Sequence, residues 1–250
     1  MTVTFTPEHA ALPLSIAVPR RVALYGDGAN LADMIDAYAS GAVSGFTTNP
    51  TLLAKAGVAD YRAFGKAAVK AIPDLPISFE VFADDFAEMA EQAREIGSWG
   101  TNVFVKVPIM NTKGRSAVPL IRELATEGLQ LNVTAVMTLR QVRETVDAAG
   151  DAQMICSIFA GRIADTGRDP VPIMRQAVEV CCERSNVWVL WASPREVLNV
   201  YQAEECGCHI ITLTPDLLAK LRLRHKDLVE YSRETVQMFY DDAQRAGLTL

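Results

Sequence analysis

Two kinds of hydrophobic pattern alternate along the chain. Short runs rich in Val, Ile, Leu and Phe predict buried β-strands, and longer segments with an apolar residue at every third or fourth position predict amphipathic helices. The predicted strands are Val22–Tyr25, Val43–Phe46, Ile77–Val81, Val103–Val107, Leu129–Val133, Met154–Ile158, Val187–Trp191 and His209–Leu213. The predicted helices between them include Leu31–Ala39, Phe86–Ile96, Ala117–Ala125, Leu139–Ala148, Ile173–Cys182 and Pro194–Cys206.

This alternation predicts an α/β fold, a single (β/α)8 TIM barrel. Strands joined by crossover helices run parallel, and eight such units favour closure into a barrel over an open doubly wound sheet, which the spacing alone does not exclude. The length of 250 residues is typical of one barrel. We therefore expect an N-terminal leader over residues 1–21, the catalytic barrel over 22–220, and extra C-terminal helices of the same domain over 221–250.

Charge and composition exclude several classes of protein. The formal net charge is −6, and Lys and Arg are spread along the chain, so the sequence has no electrostatic footprint for nucleic acid or an anionic membrane. Positive charge follows the N-terminal apolar stretch, which is the wrong order for a signal peptide. No apolar run approaches the roughly 20 residues that span a bilayer. Five cysteines in a chain of this size favour a reducing compartment, so we expect a cytoplasmic protein.

Lys106 is the only lysine inside an apolar β-type run, VFVKVP. An amine that points into a barrel interior is desolvated, which favours the neutral form that can attack a carbonyl. The structural alternative is a lysine paired with a core carboxylate. The residue pattern alone leaves both interpretations open.

Two carboxylates end other predicted strands: Asp27 closes VALYGD, and Glu80 lies in ISFEV. Active sites of TIM barrels lie at the carboxyl ends of the strands, so we expect both side chains on the same rim as Lys106. Carboxylates around an amine can transfer protons during imine formation and carbon–carbon cleavage. Each carboxylate alone could instead be a structural ion-pair partner.

Small polar side chains end further strands. Asn132 and Thr134 in LNVTAV are two residues apart, so both point to one face of their strand. Asn49 in the TTNP turn and Ser157 also stand at strand ends. Such groups can bind sugar hydroxyls or a water molecule, and turn capping is the structural alternative for each.

Two arginines follow late strands of the predicted barrel. Arg162 lies in SIFAGR, and Arg195 lies in WASPR with Ser193 beside it. TIM barrels commonly bind phosphate on their later loops, and a guanidinium presents a planar fork that matches phosphate oxygens. Surface arginines are common, so neither residue alone defines a phosphate site.

The histidines argue against metal chemistry. His9, His209 and His225 are too scattered to supply the imidazole cluster of a metal-dependent aldolase. The CGCH run has no second ligand pair at zinc-finger spacing. There is also no Walker A motif, nucleophile elbow or dinucleotide fingerprint in a strand–turn–helix context. We therefore expect no metal and no cofactor, and imine chemistry is the hypothesis that remains.

Seven motifs in this order, LYGD, GFTTNP, SFEV, VFVKVP, LNVTAV, SIFAGR and WASPR, resemble the transaldolase family, including its fructose-6-phosphate aldolase-like branch. The resemblance runs from about Val22 to Leu218. It implies a mechanism in which Lys106 forms a Schiff base and Asp27 is the acid/base at the hydroxyl beside the bond that breaks. Glu80 and Thr134 would hold the water that relays protons. The resemblance also implies two groups of binding residues, Asn49, Asn132 and Ser157 for the three-carbon ketol unit, and Arg162, Ser193 and Arg195 for the sugar phosphate.

The usual reaction of this family moves a dihydroxyacetone unit between sugar phosphates, and a homo-oligomer is its usual form. Two enzymatic alternatives stay open: an aldolase that releases free dihydroxyacetone, and an enzyme for an unusual sugar. Glu80 argues against the first, because that branch carries an amide at the matching position. A non-catalytic barrel that binds sugar phosphate is a third hypothesis, which the presence of Lys106 and its carboxylates disfavours. The segment Pro194–Glu196 departs from the family pattern, which allows its loop to hold Arg195 differently.

Overall fold

The structure, a computed structural model, describes residues 22–249. The predicted leader over 1–21 lies outside the described residues. The described chain forms two compact units, one up to Leu218 and one from Ala219 onward. The assignment of both units to a single domain stays a prediction.

The first unit contains a closed barrel of eight parallel strands in sequence order, which confirms the predicted (β/α)8 fold. The order puts each strand beside the next, and the eighth strand closes the ring by pairing with the first. The strands are β1 (Ala23–Asp27), β2 (Phe46–Thr47), β3 (Ile77–Glu80), β4 (Val103–Pro108), β5 (Leu131–Val136), β6 (Met154–Ile158), β7 (Val187–Trp191) and β8 (Ile210–Leu213).

Helices connect these strands, and several begin at a polar capping residue. The helices are α1 (Leu31–Ala39), α2 (Pro50–Lys55), α3 (Tyr61–Ala71), α4 (Phe86–Gly97), α5 (Val118–Thr126), α6 (Leu139–Ala148), α7 (Ala160–Ala164), α8 (Val171–Cys181), α9 (Leu198–Glu205) and α10 (Pro215–Lys220). The side chains of Asn49, Asp60 and Asp85 accept hydrogen bonds from first-turn backbone N–H groups. Thr138 and Gln141 form a reciprocal capping box at α6.

Two strand predictions need correction. The second strand was expected over Val43–Phe46, but the observed strand begins only at Phe46. The residues before Phe46 do not form regular strand because the ring of Tyr25 packs against the backbone at Gly45. A Cβ atom at Gly45 would lie 2.5 Å from the Tyr25 ring. The fifth strand was expected to end at Val133 but continues through a bulge, where Ala135 adopts a φ of 59° and the pairing with β6 shifts register.

A hydrophobic layer fills the barrel interior below the carboxyl ends of the strands. It includes Tyr25, Phe104, Ile155, Leu190 and Ile210, all fully or almost fully buried. Side chains two residues further along a strand point to the same side, so the next layer up includes the polar residues Asp27, Lys106, Ser157 and Thr212. Burying one such large side chain contributes about 1.5–3 kcal/mol, and this layer therefore fixes the strands whose ends carry the polar groups.

The second unit consists mainly of α11 (Leu228–Ala246), which follows a short 3-10 helix at Leu221–Leu223. Asp227 caps its first turn, and Gly247 ends it with a φ of 62°, a left-handed conformation that favours glycine. No residue of α11 is buried. Across residues 22–249, no helix combines the length and apolar character that crossing a membrane requires. The predicted homo-oligomer stays a prediction.

Candidate active site

A cavity of about 430 Å³ opens at the carboxyl ends of the barrel strands. Most of the predicted site residues line it, although they come from elements spread over the whole sequence. The predicted residues that line the cavity are Asp27, Asn49, Glu80, Lys106, Thr134, Ser157, Arg162 and Ser193. The closed order of the strands brings these residues together, since every strand delivers its carboxyl end to the same rim.

Lys106 on β4 has an almost fully buried side chain, of which 7% is exposed. Its amine lies 3.0 Å from a carboxylate oxygen of Glu80 and donates a 2.7 Å hydrogen bond to the backbone carbonyl of Thr48. The ion pair expected from the structural interpretation of Lys106 is therefore present. Both of its members also line the cavity, so the amine lies where a substrate carbonyl could reach it.

Asp27, at the end of β1, is the second carboxyl group of the cavity. The hydroxyl of Thr47 donates a 2.8 Å hydrogen bond to Asp27 and is itself hydrogen-bonded to the hydroxyl of Thr212. Burial raises the pKa of Asp27 above its usual range, although the positive charge of Lys106 and the Thr47 bond oppose the shift. A carboxyl group with a raised pKa can hold and release a proton nearer neutral pH.

Thr134 and Asn132 on β5 point to the same side of the strand, as predicted, but at different depths. The Thr134 hydroxyl lines the cavity, is buried, and has no hydrogen-bond partner among the described residues. Asn132 lies below the cavity wall with no exposed surface. It accepts a 2.6 Å hydrogen bond from Ser157 and donates one of 3.0 Å to Ser78. Asn132 therefore orients Ser157, which lines the cavity.

Asn49 combines the two roles that its sequence position allowed. Its side-chain oxygen accepts a 3.0 Å hydrogen bond from the backbone of Leu52 and so caps α2. The residue also lines the cavity. The cap fixes the direction of the amide group at the rim.

The ends of β6 and β7 are held together by a close backbone approach. A Cβ atom at Gly161 would lie 1.5 Å from the backbone oxygen of Ser193, so only glycine fits there. Ser193 itself has a φ of 57°, which is uncommon for a residue with a side chain. This contact places Arg162 and Ser193 on the same part of the cavity rim.

Arg195 is the one predicted phosphate residue that the structure does not bring to the cavity. It lies in the loop between β7 and α9, where its backbone N–H donates a 2.7 Å hydrogen bond to Asn199. Its guanidinium forms a two-bond ion pair with Asp165, in which Nε lies 2.9 Å from one carboxylate oxygen. The helix predicted from Pro194 begins only at Leu198, and this difference leaves Arg195 on a loop.

Comparisons with known proteins identify the family to which these features belong. Residues 24–250 match the family described as "Transaldolase/Fructose-6-phosphate aldolase". This chain belongs to that family. Among its relatives, a "Probable transaldolase" of Dehalococcoides mccartyi is 33% identical over 79% of this chain and 89% of its own length. One of Roseiflexus sp. strain RS-1 is 36% identical over 81% of this chain and 89% of its own. The protein is therefore an enzyme of the aldolase/transaldolase type.

Solved structures of more distant proteins share the fold. Dihydrodipicolinate synthase from Rhodopseudomonas palustris aligns with a TM-score of 0.54 and 15% sequence identity, and the alignment covers 89% of this chain and 79% of the synthase chain. KGPDC from Streptococcus mutans aligns with a TM-score of 0.54 and 13% sequence identity, and the alignment covers 79% of this chain and 90% of the KGPDC chain. At this level of identity the likeness supports the barrel fold and carries no information about the reaction.

Four polar residues of this transaldolase-family site were missed by the sequence analysis. Thr47 and Thr212 line the cavity. The backbone carbonyl of Thr48 accepts a hydrogen bond from the Lys106 amine, and the Ser78 hydroxyl accepts one from the Asn132 amide. A usable signal was present for two of them. Ser78 lies two residues before Glu80, and Thr212 interrupts an apolar run, so both are polar groups at inward-facing positions.

Proposed function

We propose that this protein is a transaldolase that moves a dihydroxyacetone unit from a ketose phosphate to an aldose phosphate through a Schiff base on Lys106. One observation carries the proposal: a buried amine lies 3.0 Å from a carboxylate at the base of an open cavity that also contains a second carboxyl group. A neutral amine is the nucleophile of imine chemistry, and a carboxylate at this distance can accept its proton directly.

Imine formation begins when Lys106 gives a proton to Glu80 and its neutral nitrogen adds to the ketone carbon of the donor. The resulting carbinolamine loses its hydroxyl as water after Glu80 returns a proton, and a protonated imine remains. The unpaired hydroxyl of Thr134 lies in the same cavity. Thr134 and Glu80 hold the water that carries the returning proton from Glu80 to the carbinolamine and that later hydrolyses the imine.

Carbon–carbon cleavage uses the second carboxyl group. Asp27 removes the proton from the hydroxyl on the carbon next to the bond that breaks, that carbon becomes an aldehyde, and the electron pair of the bond moves into the protonated imine. The first aldose then leaves and a three-carbon enamine stays on Lys106. An acceptor aldehyde reverses these steps, with Asp27 returning its proton to the new hydroxyl group.

The remaining cavity residues bind the substrate. Ser157 and Asn49 contact hydroxyls of the ketol unit, with Asn132 orienting Ser157. Arg162 and Ser193 also line the cavity and bind the phosphate. In a protein of net charge −6, an anionic substrate needs such a local positive group.

The test is a coupled assay for transfer from fructose 6-phosphate to erythrose 4-phosphate, run on the native protein and on Lys106→Met. The native protein should form the seven-carbon ketose phosphate and release glyceraldehyde 3-phosphate, and Lys106→Met should form none. Rapid release of dihydroxyacetone without an acceptor would instead support the aldolase alternative. Retained transfer in a folded Lys106→Met variant would contradict the proposal.

A further inference from the structure

The ion pair between Arg195 and Asp165 joins the loop after β7 to the end of α7, the helix that carries Arg162 of the proposed phosphate site. The two residues pair side by side, Nε to one carboxylate oxygen at 2.9 Å and Nη2 to the other. A phosphate binds arginine through the same pair of N–H groups. The carboxylate therefore occupies the edge of Arg195 that a phosphate would use.

Asp165 also lies close to the second arginine. It follows Arg162 by one turn, directly after α7, and Arg162 lines the cavity. The bond from Arg195 lowers the pKa of Asp165 below its usual range, and the charge of Arg162 lowers it further. Asp165 is thus an anion that pairs with Arg195 and feels the charge of Arg162.

We infer that Asp165 sets the affinity of this site for phosphorylated substrates by competing with the substrate phosphate for Arg195. The inference rests on the proposed function, since it takes the sugar phosphate to bind at this rim. It makes Asp165 a residue that determines specificity, acting through Arg195, which the sequence already predicted to bind phosphate.

The competition is weak enough to be reversible. About half of each side chain is exposed, 48% for Arg195 and 49% for Asp165, and exposed ion pairs of this kind contribute little because water and salt screen them. A substrate phosphate can therefore displace Asp165 at small cost. Removing the carboxylate charge should tighten phosphate binding by about two- to fivefold, the range that corresponds to an exposed pair.

The test is a calorimetric titration of inorganic phosphate into the full-length native protein, Asp165→Asn and Glu205→Gln. Glu205 is the matched control, because it forms a similarly exposed ion pair with Arg175 on the outer helices. Asp165→Asn should bind phosphate about two- to fivefold more tightly at low ionic strength, with a smaller difference at high salt. Glu205→Gln should match the native protein.

A double substitution separates competition from a general charge effect. If Asp165 acts through Arg195, most of the gain from Asp165→Asn should disappear in the Arg195→Ala background. An unchanged or weaker phosphate affinity in Asp165→Asn would overturn the inference, and weaker binding would show that Asp165 presents Arg195 to the ligand instead.

The phosphate titration also separates this inference from the proposed function. Loss of phosphate binding in Arg162→Ala, with no change in Asp165→Asn, would leave the proposed phosphate position standing and remove only the role of Asp165. Absence of measurable phosphate binding in every variant would overturn both the inference and the proposed phosphate position, whereas the Schiff-base chemistry is tested by the transfer assay.

Discussion

The substitution Glu80→Gln removes the carboxylate charge beside Lys106 while keeping the shape of the side chain. Glu80 lies 3.0 Å from the amine, within the range of about 2.6–3.2 Å over which a side chain transfers a proton directly. A glutamine amide can still accept a hydrogen bond there, but it cannot take the proton. The predicted effect is slower imine formation and a lower ratio of transfer to free dihydroxyacetone release.

The expected magnitude follows from the loss of one positioned proton-transfer group. Such groups contribute about 10²–10⁴-fold to a rate, which corresponds to about 3–5 kcal/mol of activation free energy. The variant should fold, because the Lys106 amine keeps its hydrogen bond to the backbone carbonyl of Thr48 and the side-chain oxygen of the introduced glutamine can accept a second one. A thermal melt verifies this before the kinetics are measured.

The assay follows fructose 6-phosphate turnover with and without erythrose 4-phosphate, with imine formation measured by rapid quench in borohydride. Glu95→Gln is the matched control, since Glu95 pairs with Arg62 on the outer helices and not at the cavity. If the native protein already releases dihydroxyacetone rapidly without an acceptor, and Glu80→Gln leaves the ratio unchanged, the transaldolase proposal is wrong and the aldolase alternative replaces it.

Two further predictions concern Arg162 and Asp27. Arg162→Ala should raise KM for fructose 6-phosphate by about tenfold, which is the lower end for a charge-assisted hydrogen bond because Arg162 is exposed. The same substitution should change KM for unphosphorylated dihydroxyacetone far less. Equal changes for both substrates would show that Arg162 has a structural role. Asp27→Asn should abolish transfer and yet raise the melting temperature at neutral pH. The folded protein raises the pKa of Asp27, so its ionised form costs stability, and that cost grows as pH rises from the usual value of 3.8 to the raised pKa and is constant above it. Melting curves from pH 4 to pH 8 should show a gap that first widens with pH and then levels off, and a gap that is constant throughout would contradict this reasoning.

The barrel could be predicted from the sequence because its strands and helices carry strong, regular patterns. The lengths of individual strands could not be predicted so well. The second strand is shortened at Gly45 by the packing of Tyr25, a residue that is distant along the chain. The fifth strand continues past Ala135 through a bulge that the local composition does not indicate. Both features depend on contacts between strands, which hydrophobic periodicity does not contain.

The positions of the strand-end residues were predictable for the same reason as the barrel, since parallel strands bring their carboxyl ends together. Lys106, Glu80 and Asp27 illustrate this, because the strand that carries each residue brings it to the cavity. The surroundings of Arg195 were not predictable. Its partner Asp165 lies 30 residues earlier in the chain, and only the packing of the loops after β6 and β7 brings the two together. Loop conformation depends on such packing and is weakly encoded in local sequence.

The most direct test of the account is reductive trapping on the intact protein. Borohydride added with fructose 6-phosphate should leave a stable adduct whose mass equals the reduced three-carbon or six-carbon unit, and peptide mapping should locate it on Lys106. The adduct should be missing from Lys106→Met. An adduct on another lysine, or none on a protein that still carries out transfer, would contradict the central claim.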